Sequence, residues 1–243
     1  MMPRRLYTED PLTLDEREAY ERDLIAFCDR ELDLLGNVEG LSVLYAGGAS
    51  SLWVEGLSQR IGSNGTLTAL DADTERVEEG RELLRDAGLA APVRLVAGDV
   101  FRPPFAPDTF DLAYSAGLFH ELDEREKHAG DALAAIASVV RNSGRVATSD
   151  FVDSVSAVQI EDEELQRELV WEISGAKLYG IGSPDRLVAL HEALLAKVQW
   201  RISPPYSIRY LDKIVLAEEL SEELRGLPVE IRRRLCERRR TLR

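Results

Sequence analysis

At 243 residues, 44% apolar and 30% charged, the chain has the length and make-up of one sizeable α/β domain with appendages. Forty-four acidic against thirty basic residues give a formal charge of −14, which disfavours broad attraction to nucleic acid. With no apolar run near ~18 residues, no apolar core behind Arg4 and Arg5, and no metal or redox spacing between Cys28 and Cys236, a reduced cytoplasmic protein without a membrane span is expected.

Residues 13–35 read as a leading helix, with Tyr20, Leu24, Phe27 and Leu34 or Leu35 on one stripe and Gly36-Asn37 as its stop. Strand and helix signals then alternate. Ser42–Ala46 is strand-like, Leu52–Ile61 is helical, and a Gly62–Gly65 turn precedes the strand Thr66–Leu70. Thr74–Ala87 is helical, Val93–Ala97 a strand, and Arg102–Pro107 a loop before the strand Phe110–Tyr114. Ala129, Leu133, Ile136 and Val140 mark a helix face, and Asn142-Ser143-Gly144 turns the chain into the strand Arg145–Ser149. Beyond Asp150, residues 156–178 are acidic and helical. Ser183-Pro184-Asp185 opens another helix with its buried stripe at Leu187, Leu190 and Leu194. Val198–Ile202 and Ile208–Leu216 read as two more strands around Pro204-Pro205. The fold expected is a doubly wound, mostly parallel α/β sheet of seven strands with helical lid additions. Its expected parts are a helical cap (1–37), a Rossmann-like core (38–154), a lid insertion (155–182), the rest of the sheet (183–218) and a basic helix (219–243).

Ligands of such sheets bind at the carboxyl ends of the strands. That rule singles out Gly47, Asp71, Asp99 and Ser115, which follow the first four strands. The first strand breaks into Gly47-Gly48-Ala49-Ser50-Ser51, and Asp71 ends the second strand about twenty residues later. A bend of very small residues beside such an acid suits a nucleoside with a ribose and an anionic tail. Each residue also has a plainer reading: the glycines as an ordinary turn, Asp71 as a helix cap, Asp99 as a polar loop residue. Tyr7, Tyr179 and Tyr206 could close over a cationic ligand or simply be half-buried aromatics. The tail from Arg225 to Arg243 holds eight arginines; it reads either as an arm for RNA or an acidic partner, or as a solvated helix docked through Ile231 and Leu235.

Five segments in order resemble the class I S-adenosylmethionine-dependent methyltransferases: residues 43–51, Leu70-Asp71-Ala72-Asp73, Gly98-Asp99-Val100, Phe110–Ser115 with Leu118–Leu122, and Val139–Arg145. The resemblance implies that S-adenosylmethionine is the cofactor, held by Tyr45, Gly47, Gly48, Ala49, Asp71, Ala72, Asp99, Val100 and Ser115. Asp71 would take the ribose hydroxyls, Asp99 and the Val100 N–H the adenine, and the Gly47 and Gly48 amides the methionyl end. His120 falls where the fourth-strand loop meets substrate and is the candidate base; a packing role is its alternative. Tyr45 stands where the family has an acid, and Ala49 and Ser51 where it has further glycines, so left-handed strain at these positions is an expectation. The implied activity is methyl transfer to a small-molecule acceptor, without metal, membrane or nucleic acid, in a protein free to form a homodimer. An inactive nucleoside-binding relative is the second reading. An NAD-dependent Rossmann enzyme is the third, although no register gives G-x-G-x-x-G.

Overall fold

The structure is a computed structural model, described over residues 12–49, 51–153, 157–204, 206–210, 213 and 226–241. Helix α1 (Leu14–Asp33) opens on a capping box in which Thr13 and Glu16 satisfy each other's backbone amides. There follow β1 (Ser42–Ala46), α2 (Ser51–Ile61), β2 (Thr66–Asp71), α3 (Thr74–Leu84), β3 (Val93–Ala97) and β4 (Phe110–Ala116). A 3-10 turn (Phe119–Glu121) leads to α4 (Ala129–Ser138), β5 (Val140–Ser149), α5 (Ala157–Ser174), α6 (Pro184–Glu192) and α7 (Val229–Thr241).

The strands form one parallel sheet in the order β3-β2-β1-β4-β5. Strand order reverses between β1 and β4, which fixes where a ligand crevice opens. Alternate strand residues feed two cores. Val43, Tyr45, Leu67, Ala69, Leu112 and Tyr114 face α1, α2 and α3. Leu44, Ala46, Leu70 and Ala113 face α4 and the Phe119 turn. The central strands β1 and β4 are covered on both faces and read as nearly continuous apolar runs, whereas the edge strands β3 and β5 carry arginines and stay partly exposed. Fully buried leucines such as Leu44, Leu67 and Leu112 each stabilise the fold by about 1.5–3 kcal/mol.

The sheet has five strands among the described residues, not the seven expected. Val198–Ile202 alternates apolar and polar residues, the pattern of a half-buried strand, yet it has no ladder partner and leaves Trp200 and Ile202 about half exposed. Its chain runs along α1 instead. Arg30 donates to the Pro204 carbonyl (2.9 Å), and the Ser203 hydroxyl reaches Glu31 (3.4 Å). A proline at the end of the segment removes a donor that a paired strand would need. Ile208–Leu216 lies largely outside the described residues; Ile208 to Tyr210 are not strand.

Two smaller differences have clear causes. Strand β5 begins at Val140, because Val140 pairs with Phe110 while Arg145 pairs with Leu112; Asn142-Ser143-Gly144 is an irregularity inside the strand rather than a turn before it. In α1 the buried positions are Ala19, Cys28, Glu31 and Leu32, so the inward face is rotated from the stripe expected and carries a carboxylate. The basic helix α7 packs against the acidic α5. Leu235 is buried with Leu165 and Leu169, while Arg234 pairs with Glu168 and Glu172, and Arg238 with Glu161 and Glu168. The acidic surface that this helix meets is in its own chain.

Candidate active site

The β1–α2 bend is shaped by glycine at two positions. Gly47 has φ +86°, and a Cβ there would lie 2.5 Å from Leu118 Cδ1. At Gly48 a Cβ would stand 2.8 Å from Tyr45 Oη. Both amides donate to the Leu70 carbonyl, at 2.8 and 3.0 Å. The bend is therefore pinned to β2, and its glycines supply close approach rather than free N–H groups. Neither Ala49 nor Ser51 has a positive φ, so replacing glycine there brings no backbone strain. Ser50 lies outside the described residues.

Beneath the bend the Tyr45 ring is buried and stacked on Tyr114, with centroids 5.9 Å apart and planes 23° from parallel. Burial, with Tyr114 and the carboxylates of Asp71 and Glu121 nearby, pushes the Tyr45 phenol far above its ordinary range. At neutral pH it is an uncharged hydroxyl that both donates and accepts. It occupies the space under Gly48.

Asp71 ends β2 and is nearly buried. Its Oδ1 accepts from the Asp73 N–H at 2.9 Å, while Oδ2 has no hydrogen-bond partner among the described residues. Helix α3 is capped by Asp73, which accepts from the Glu75 and Arg76 amides, so Asp71 has no capping duty. Ala72 beside it is exposed. Asp99 differs. Its Oδ1 accepts from the Phe101 N–H (2.9 Å) and its Oδ2 from Lys127 Nζ (3.0 Å), with Lys127 also 4.6 Å over the Phe101 ring. Partial burial opposes ionisation of Asp99, but these two donors hold its carboxyl below the usual range. Val100 is buried next to it. Ser115, at the end of β4, is buried with its hydroxyl unpartnered.

His120 sits in the turn after β4 and is 5% exposed. Its Nδ1 donates to Asp150 Oδ1 at 2.7 Å, and the same carboxylate accepts from the Phe119 and Phe151 amides at 2.7 and 2.8 Å. Phe151 meets the ring edge-on at 5.1 Å. Burial depresses the basicity of the imidazole, but the Asp150 hydrogen bond and charge outweigh it, so the pKa is raised. Nε2 remains, 3.7 Å from Glu121 Oε1. A cavity of about 10 Å³, lined by His120, Asp150, Tyr179, Ser183 and Arg186, adjoins the pair; it holds about one water. Tyr179 carries the Arg186 guanidinium 3.4 Å from its ring centroid, so its face is already taken. Tyr206 packs on Phe27, and Tyr7 lies outside the described residues.

The structure thus brings Gly47, Asp71, Asp99 and Ser115 to one sheet edge, with His120 on the loop beyond β4. Sequence reading passed over two acids. Asp150 follows β5 just as Asp71 ends β2, so the strand-end rule could have found it. Glu31 is a carboxylate three residues after Cys28 and next to Leu32, and its place on the inward face was the available signal.

A sheet of this order, with a glycine bend after β1 and an acid ending β2, is the architecture of a Rossmann-like methyltransferase. Residues 43–144 match a protein family described as methyltransferase domain. That stretch of the chain is therefore similar to a methyltransferase domain. It is 32% identical over 127 residues to the ubiquinone/menaquinone biosynthesis C-methyltransferase UbiE of Idiomarina loihiensis, covering 52% of this chain and 49% of that one. The chain therefore spans about half the length of the curated relatives it matches. Among solved structures, it is similar to a SAM-dependent methyltransferase from Aquifex aeolicus (TM-score 0.57, 20% identity, 77% of this chain and 92% of that one). The YcgJ protein from Bacillus subtilis is similar as well (TM-score 0.58, 16% identity, 88% and 83%). At those identities the structures speak for the fold.

The residues present suit the S-adenosylmethionine cofactor on two counts: one Asp71 oxygen is unclaimed among the described residues, and the Ser115 hydroxyl is unpartnered.

Proposed function

We propose that the chain transfers a methyl group from S-adenosylmethionine to a small-molecule acceptor. The observation that carries this reading is Asp71: a nearly buried carboxylate at the switch edge of the sheet, with one oxygen held by its own loop and the other uncommitted among the described residues. An ionised carboxylate accepts from both hydroxyls of a ribose. Gly47 lets the chain bend at φ +86° without driving a Cβ into Leu118, and Asp99 with the Val100 amide would serve the adenine end. When bound, the cofactor supplies a methyl group already activated by its sulfonium.

The protein's share is then chiefly alignment and exclusion of water. Where the acceptor must lose a proton, His120 is the group to take it. Asp150 fixes Nδ1 as the protonated nitrogen, leaves Nε2 to accept, and raises the basicity of the ring. Helix α1 and residues 157–182 supply the cover over the acceptor. The curated relatives are C-methyltransferases of quinone biosynthesis, which agrees with a small-molecule acceptor.

Isothermal titration with S-adenosylhomocysteine tests the reading. Saturable heat at one site per chain is expected. No heat at high protein concentration, with this ligand or with S-adenosylmethionine, would overturn it.

A further inference from the structure

Lys127 is a cation at the Asp99 end of the site with no part in the mechanism above. It lies one residue before His128, the N-cap of α4. Its Nζ donates to Asp99 Oδ2 at 3.0 Å and stands 4.6 Å over the Phe101 ring. The loop that carries it is tied down. The Glu124 amide donates to the Lys177 carbonyl at 2.7 Å, the Ala129 amide to Glu124 Oε1 at 3.0 Å, and the His128 amide to Asp131 Oδ2 at 2.9 Å. Asp99 is fixed as well, because its Oδ1 accepts from the Phe101 amide at 2.9 Å. Lys127 is thus held by its loop, an aromatic face and a positioned carboxylate, unlike an ordinary surface lysine on a free stem. Both groups keep spare capacity: the ammonium has two further N–H groups, and Oδ2 has a second lone pair. Their side chains, 35% and 48% exposed, leave room for a flat base to reach them from solvent.

We propose that Lys127 and Asp99 read the adenine as one unit, Asp99 accepting from its amino group while Lys127 donates to ring nitrogen N7. The proposal rests on the S-adenosylmethionine reading above and adds a specificity-determining residue to it. The pair sets an acceptor, Oδ2, beside a donor, Nζ. A carboxamide presents the same combination when Asn or Gln takes the amino group and N7 of adenine together. Adenine answers in kind, since its amino group donates and N7 accepts. A carboxylate alone would hold the amino group and leave N7 unread, so a carbon at that position would serve equally well. An ammonium alone would have nothing to offer the amino group. Were the contact no more than a surface ion pair, it would contribute little to stability and nothing to ligand choice.

Calorimetry on the full chain with S-adenosylhomocysteine and with its 7-deaza analogue, in which a C–H replaces N7, tests this. The wild type is expected to bind the analogue about five- to tenfold more weakly. Lys127→Met keeps an apolar stem for the Phe101 ring but has no donor. In that variant S-adenosylhomocysteine should weaken by a similar factor, and the two ligands should bind alike. Equal affinity for the two ligands in the wild type, or a preference that survives in Lys127→Met, would overturn the proposal and leave cofactor binding standing. Tighter binding of S-adenosylhomocysteine to Lys127→Met would mark the lysine as a competitor for Asp99 and would overturn it as well. Absence of heat with S-adenosylhomocysteine itself would overturn the methyltransferase reading, and this proposal with it.

Discussion

Gly47→Ala tests how tightly the cofactor bend is built, and its size follows from two separate costs. The backbone there has φ +86°, a region in which an L side chain costs roughly 1–2 kcal/mol. The new methyl would also stand 2.5 Å from Leu118 Cδ1 and 3.0 Å from Cγ. Leu118 is itself buried in the core that contains Phe119 and Leu133, so it has little room to move, and crowding of this kind costs about 1–3 kcal/mol. The sum is about 2–5 kcal/mol. Gly62 provides the control: its φ is +68° with nothing within 4 Å of a Cβ, so Gly62→Ala carries the backbone cost alone. Urea unfolding of the two variants should differ by the crowding term, about 1–3 kcal/mol. Affinity for S-adenosylhomocysteine should fall in Gly47→Ala and hold in Gly62→Ala. Equal unfolding midpoints, or an unaltered affinity in Gly47→Ala, would refute the close-approach account of the bend.

Ala49→Gly restores a family glycine, but because Ala49 carries no positive φ it should leave S-adenosylhomocysteine affinity within about twofold, read by titration. Leu235→Ala should destabilise the docking of α7 on α5 by about 2–5 kcal/mol, whereas Arg234→Ala should cost no more than about 1 kcal/mol and shrink further in salt; hydrogen exchange in α7 separates the two. The His120–Asp150 pair has a definite pH signature. The folded pKa of His120 is raised, so its stabilising contribution is fully present below the unfolded value of about 6.5 and fades as pH rises through the folded value. The stability difference between wild type and His120→Gln, measured by denaturant unfolding, should therefore shrink from pH 6 to pH 9.

Where the amino-acid pattern and the structure agree, a local rule was enough. The spacing of Ala129, Leu133 and Ile136 is helical and those residues are buried; β1 and β4, at the centre of the sheet, are mainly apolar runs closed by a small residue. Where they part, a long-range partner decided the matter. Val198–Ile202 has strand-like alternation, but no edge receives it, and the chain is tied to α1 through Arg30 and Ser203 instead. Glu31 shows the same limit. As a single residue it is one more acid on an amphipathic helix, and only the packing of α1 over β4 and β5 turns it inward toward Ser149. The arginines of α7 found their acidic partner in α5, a pairing that charge spacing permits but does not impose. At the bend, the expected strain at Ala49 and Ser51 is missing because the left-handed residue is Gly47 itself.

Everything proposed for the site turns on whether one aspartate grips a sugar. Asp71→Asn retains an oxygen for the Asp73 amide but removes the charge that two hydroxyls would share. Titration of this variant with S-adenosylhomocysteine should show affinity reduced by roughly 10–100-fold, with the thermal unfolding profile unchanged. Wild-type affinity in Asp71→Asn would contradict the account.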